Sequence, residues 1–113
     1  MLTFIKKFFQ REKPIYVPNA NPWQRDLDHI RKMAVSQNWK EIDHQVQHHM
    51  VSFTKMLQSD NIRINVYYST MTVATILTHP VKGRKQLFRK NVPFGMLQKI
   101  FINPRMHTGI GYY

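Results

Sequence analysis

Residues 39–57 read Trp-Lys-Glu-Ile-Asp-His-Gln-Val-Gln-His-His-Met-Val-Ser-Phe-Thr-Lys-Met-Leu. Trp39, Ile42, Val46, Met50, Phe53 and Leu57 recur at steps of three and four, the most regular apolar pattern in the chain. That period predicts an amphipathic helix. Asn38, with Glu41 three residues on, has the form of a capping box with Asn in place of Ser or Thr, which predicts the start of that helix. Counting 100° per residue puts Glu41, His44 and His48 opposite the apolar stripe, facing solvent. His44 and His48 stand at i, i+4, a spacing able to bring two imidazoles to one metal. With no cysteine and no third ligand specified, the pair reads as a solvated face, and neither a metal site nor a cofactor is expected. His49 flanks the stripe and reads as a packed histidine.

Upstream, Asn21-Pro22 opens a helix, with Asn as cap and Pro at the first helical position. Trp23, Leu27, Ile30 and Ala34 form its apolar stripe, and Ser36-Gln37-Asn38 breaks it. So short a break predicts two helices folded back on each other. Residues 14–22 carry three prolines and read as an extended linker. Residues 1–13 form a basic amphipathic arm, with Leu2, Ile5, Phe8 and Phe9 at helical spacing and Lys6, Lys7 and Arg11 elsewhere around the turn. Peripheral membrane contact through residues 2–9 is one use for such an arm. An organellar presequence is a second, and docking on the body or on a partner is the third, since Phe4, Phe8 and Phe9 need a surface to cover.

Downstream, Ser59-Asp60-Asn61 ends the long helix, and Ile62, Ile64, Val66 and Tyr68 alternate with Arg63, Asn65 and Tyr67. Period two is the signature of a half-buried strand. Ser69-Thr70-Met71 is a turn, and Thr72–Thr78 is a β-branched central strand. Residues 79–85 read as a loop punctuated by Pro80 and Gly83, and Gln86–Asn91 as a third strand. A helix opened by Pro93 follows, with Phe94, Leu97, Ile100 and Phe101 on one face, stopped by Asn103-Pro104. The expected fold is therefore α+β: a helical N-terminal half packed on a three-stranded antiparallel β-meander, followed by a C-terminal helix, with residues 23–113 as one domain. This order of helix, three antiparallel strands and helix across residues 38–102 resembles that of double-stranded-RNA-binding domains. That family's lysine cluster opens the last helix, where this chain reads Val92-Pro93-Phe94-Gly95-Met96, so the resemblance carries no binding residue over.

The 113 residues amount to one domain, on the usual scale of roughly 100–200 residues. No apolar run approaches the roughly 20 residues that span a bilayer. The absence of cysteine removes disulfides, thiolate metal sites and a cysteine nucleophile, and points to an intracellular chain. Net charge is +11, from 17 Lys+Arg against six Asp+Glu. All six acids lie in the first 60 residues, so residues 61–113 carry eight cations and no carboxylate side chain. A global excess of this size favours a polyanionic partner.

Five of those cations, Lys82, Arg84, Lys85, Arg89 and Lys90, crowd around Gly83, with Phe88 among them. Phosphate oxygens suit cations and free backbone N–H groups at a turn. Tyr67 shares a strand face with Arg63, an aromatic ring beside a cation. The expected function is a small basic nucleic-acid-binding accessory protein, for RNA or DNA. It would contact mainly phosphates through Arg63, Lys82, Arg84, Lys85, Arg89, Lys90 and Arg105, with Tyr67 beside them. The alternative is a protein-interaction module, a ribonucleoprotein subunit or an inhibitor docking on an acidic surface. No catalytic centre is specified: there is no Walker loop, no GxSxG and no dinucleotide fingerprint. If the chain is an enzyme, His79 and His107 in its basic half suit metal-independent cleavage of phosphodiesters.

Overall fold

The computed structural model describes residues 22–105 apart from Pro80. The expected N-terminal arm, most of the linker and the tail with His107 lie outside the described residues. Helix α1 (Gln24–Ser36) buries Leu27, Ile30, Met33 and Ala34, the stripe its spacing implies. Its N-cap position is Trp23 rather than Asn21. It ends in a Schellman closure: Asn38 takes a left-handed backbone (φ 66°), its N–H donates to the Val35 carbonyl, and the Trp39 N–H donates to the Ala34 carbonyl. Asn38 is thus a cap, but of the helix behind it. Asn tolerates this conformation better than most residues, because its short side chain bonds locally.

No helix follows. Strands β1 (Lys40–Gln45) and β2 (Met50–Leu57) occupy residues 40–57, joined by a 3-10 turn at Val46–His48. Next come β3 (Asp60–Tyr67), β4 (Thr72–His79), β5 (Gly83–Arg89) and helix α2 (Phe94–Ile102). The strands form one five-stranded antiparallel sheet in the order β1-β2-β3-β4-β5. This corrects the expected helical N-terminal half and three-stranded meander, and with them the likeness to double-stranded-RNA-binding domains, because the residues read as that family's opening helix are strands β1 and β2.

The correction has a physical cause. A three-stranded sheet would leave one side of β3 with unpaired backbone groups beside its most apolar residues. Pairing with β2 satisfies them, and sets Val51 against Val66 and Phe53 against Ile64. The 3.6-residue stripe was only partly a burial pattern. Ile42 and Val46 are 43% and 56% exposed, whereas Val51, off the stripe, is fully buried. Within β2 the period is two: Val51 and Phe53 face the helices, while Met50, Ser52 and Thr54 face away. Ile42 sits where the β1–β2 register slips, between Glu41 and Asp43.

Both helices lie on one face of the sheet. Leu27, Ile30, Leu97, Ile100 and Phe101 from the helices enclose Val51, Phe53, Ile64, Val66, Val73 and Leu77 from the strands. Trp39 closes one end of this core. Its ring packs 5.7 Å from that of Phe101, and its Nε1–H donates to the Phe101 carbonyl at 2.8 Å. Lys55 lies over the outer side of the Trp39 ring and donates to the Gln37 carbonyl. The opposite sheet face carries no helix among the described residues.

The β2–β3 hairpin turns through two residues, Gln58 (φ 50°) and Ser59 (φ 66°), between the paired Leu57 and Asp60. Left-handed backbone at both positions is the type I′ turn, which matches strand twist but normally takes Asn-Gly. Neither residue announces it. Replacing Gln58-Ser59 by Asn-Gly should raise stability by about 1 kcal/mol in urea denaturation, since Gly occupies this region without a Cβ penalty.

Candidate nucleic-acid interface

β5 is the last strand of the sheet, so side chains alternate to its two faces around an outer edge with no neighbouring strand among the described residues. Both flanking strands of the β4–β5 hairpin are longer than their loop-like composition implies. Thr78 pairs with Arg84 and His79 with Gly83, and Gly83 takes φ +80° at the turn. Arg84 and Lys85 are therefore strand residues and not loop residues. Lys85, opposite Leu77, and Arg89, opposite Val73, point to the helix side. Arg84 and Phe88 point to the open side, Phe88 opposite Ala74. Lys82 sits in the turn that opens the strand, and Lys90 in the bend that follows it.

The eight polar and aromatic residues singled out in the sequence do not converge on one face. Arg63 and Tyr67, on β3, share the open face with Arg84. Arg105 lies beyond α2, beside Leu57, Gln58 and Ile62, at the end of the sheet that also holds the β4–β5 turn. Five of the eight follow β5 as a basic rim: Lys82, Arg84, Lys85, Arg89 and Lys90. Neither β4, β5 nor α2 contains a carboxylate. On the opposite edge strand, β1, stand Glu41 and Asp43. Charge is thus graded across the sheet, over four strand spacings or roughly 19 Å.

Two of these arginines are built into the fold. Arg63 donates from Nε to Asn65 Oδ1 at 3.0 Å and from Nη2 to Ser52 Oγ at 3.1 Å, which lays its guanidinium along the open face over buried Ser52 and Asn65. Arg84 is paired with a carboxylate: Nη1 lies 2.8 Å from Asp60 Oδ1, and Nη2 donates to the Asn61 carbonyl. The same carboxylate accepts the Thr78 N–H at 2.8 Å and the Thr78 hydroxyl at 3.0 Å. Asp60 thereby bridges β3 to β4 and β5 where the β3–β4 ladder ends. Arg89 has one guanidinium nitrogen, Nη1, buried without a hydrogen bond.

On the helix side, a second network holds His44, one of the two histidines expected to face solvent, while His48 is exposed. Arg31 from α1 grips Glu41 with two bonds, Nε to Oε1 at 2.7 Å and Nη2 to Oε2 at 3.0 Å, and its Nη2 also reaches His44 Nδ1 at 3.3 Å. That hydrogen bond to Glu41 is the chief reason the Arg31 guanidinium is held above its ordinary pKa. A guanidinium only donates, so His44 Nδ1 accepts, and the Nε2–H donates to the Tyr68 hydroxyl at 3.0 Å. His49, left-handed at φ 52°, packs 4.3 Å from the Trp23 ring. Among the described residues no three His, Asp or Glu side chains come together to hold a metal, and no helix is long and apolar enough to cross a membrane.

The sequence reading missed Asp60, whose role depends on a strand end, and undervalued Phe88, which is 61% exposed near the end of β5. Alternation with Arg84 was the available signal for Phe88, once β5 is known to start at Gly83. Comparison of the chain with known protein families, with curated proteins and with solved structures finds no match in any of the three.

Asp60 also predicts a pH dependence. Burial raises its pKa, but the bonds from Thr78 and Arg84 outweigh burial and hold it below the ordinary carboxylate value. Its folded pKa is depressed, so its stabilisation is present above the unfolded value near 3.9 and is lost as pH falls through the folded value. Asp60→Asn should cost about 1 kcal/mol at neutral pH, after allowance for the half-exposed arginine, and should flatten the acid side of a plot of Tm against pH.

Proposed function

We propose that this chain is a small nucleic-acid-binding accessory protein that grips the phosphate backbone along β5. The supporting observation is the rim itself: Lys82, Arg84, Lys85, Arg89 and Lys90 lie on or beside one edge strand, and no carboxylate stands on β4, β5 or α2. Alternation sends these cations to both faces, so the rim presents positive charge to either side of a phosphate chain running along it. Lysines deliver point charge to phosphate without fixed geometry, whereas Arg84 is oriented by Asp60 and holds the hairpin in shape. Such contacts position a nucleic acid but read no sequence.

Each phosphate neutralised releases condensed counterions and adds about −0.7 to −0.9 to the slope of log affinity against log salt. Replacing Lys82, Lys85 and Lys90 together by Gln leaves the Asp60–Arg84 tie intact. This variant should bind RNA and DNA oligonucleotides of any sequence more weakly, and its salt slope should be shallower by about 2. Unchanged affinity and slope would remove the rim as the phosphate site. Retention of an acidic protein after nuclease treatment, with no oligonucleotide binding, would instead favour docking on a protein surface.

A further inference from the structure

We infer that the open face of the sheet stacks unpaired bases, so that the nucleic acid held by β5 is single-stranded. The inference rests on the phosphate-binding reading of β5 and adds to it a substrate class.

The register sets the geometry of this face. Phe88 on β5 stands opposite Ala74 on β4, and Ala74 opposite Asn65 on β3. Two pairs further along, Tyr67 on β3 stands opposite Thr72 on β4. Phe88 is 61% exposed, although it is paired within the strand, one residue before its end. Tyr67 is half-buried. The strand between them carries only Ala74 and Thr72 at these levels. Ala74 is itself fully buried and Thr72 partly exposed, so Phe88 is the side chain that stands clear of the sheet here, with Tyr67 partly accessible beyond it.

Two strand spacings across and two residues along place the two Cα positions roughly 12 Å apart. Bases in a duplex are stacked at 3.4 Å steps and turn their faces to one another. A duplex cannot offer base faces to both rings. An extended single strand can, because its bases are free to splay and each presents a π-face.

Cations frame the two rings. Arg84 lies on the same face two residues from Gln86, and Arg63, opposite Ile76, has its guanidinium laid flat against the sheet by Asn65 and Ser52. Lys90 follows the strand at the other end. Rings in the middle and cations around them match the alternation of bases and phosphates along one strand. An apolar ring exposed in a carboxylate-free strand is a poor device for keeping an edge soluble, where lysine alone serves better.

The test compares the full chain and its Phe88→Ala and Phe88→Trp variants in binding a single-stranded oligonucleotide of about 12 nucleotides and the duplex of the same sequence. The wild type should favour the single strand. Phe88→Ala should lose roughly tenfold or more in affinity for the single strand, with little change for the duplex and no change in salt slope, since no cation is removed. Phe88→Trp should retain single-strand affinity. Equal single-strand binding by Phe88→Ala and wild type, or a wild-type preference for duplex, would overturn the inference. So would concentration-dependent self-association that Phe88→Ala abolishes, because a second copy would then cover the ring. The Lys82, Lys85 and Lys90 variant separates the two readings. If it weakens binding while Phe88→Ala does not, only the base-stacking inference falls; if neither matters, the phosphate rim falls as well.

Discussion

The hydrogen-bond ladders that join β3 to β2 on one side and to β4 on the other couple the faces of all three strands. Val51, Val66 and Val73 stand in one row, and Phe53, Ile64 and Thr75 in the next. Burial of the first row against α1 and α2 sets the side from which the other residues of these strands project, because side chains in a regularly paired strand alternate. Slipping this register by one residue would send Arg63, Asn65 and Tyr67 into the core. The positions of Phe88 and Arg84 follow from the same constraint, carried through β4 to β5 by the pairs Ala74–Phe88 and Thr78–Arg84.

Charge is distributed on this scaffold by chain position. The acids of α1 and β1 stand at the start of the described chain, and a meander lays strands down in sequence order, so an acid-poor second half becomes one side of the sheet. Arg31 takes up Glu41 within the helix layer. Asp60 is the exception that crosses the gradient, where it serves structure: three donors from two other strands meet on its carboxylate. Arg84 is thereby held in place, and the lysines around it remain the adaptable part of the rim.

Elements of the second half were readable because local period and tertiary environment agree there. Ile62, Ile64 and Val66 alternate and are buried on one side; Leu97, Ile100 and Phe101 follow a helical period and are buried on one stripe. Residues 39–57 conflict. Trp39, Met50 and Phe53 are buried as the helical period requires, but through three separate environments: the end of the core, the far face of the sheet and the helix-facing side. No local feature separates these. The turn at Gln58-Ser59 lacks the Asn-Gly signal that would have marked a hairpin, and Asn38, readable as a cap, does not declare which side of it is helical.

Composition and order along the chain were enough to establish the charge excess, its confinement away from carboxylates, the flanking helices and the alternating strand at Ile62, since each depends on residue type and local spacing alone. Whether residues 40–57 coil or extend was settled by the backbone of β3, which needed a partner on its second side. The distribution of the cations to both faces of β5, with Phe88 and Tyr67 on the open one, was settled with it. Register is a relation between distant segments, and no stretch of sequence contains it until the strands are paired.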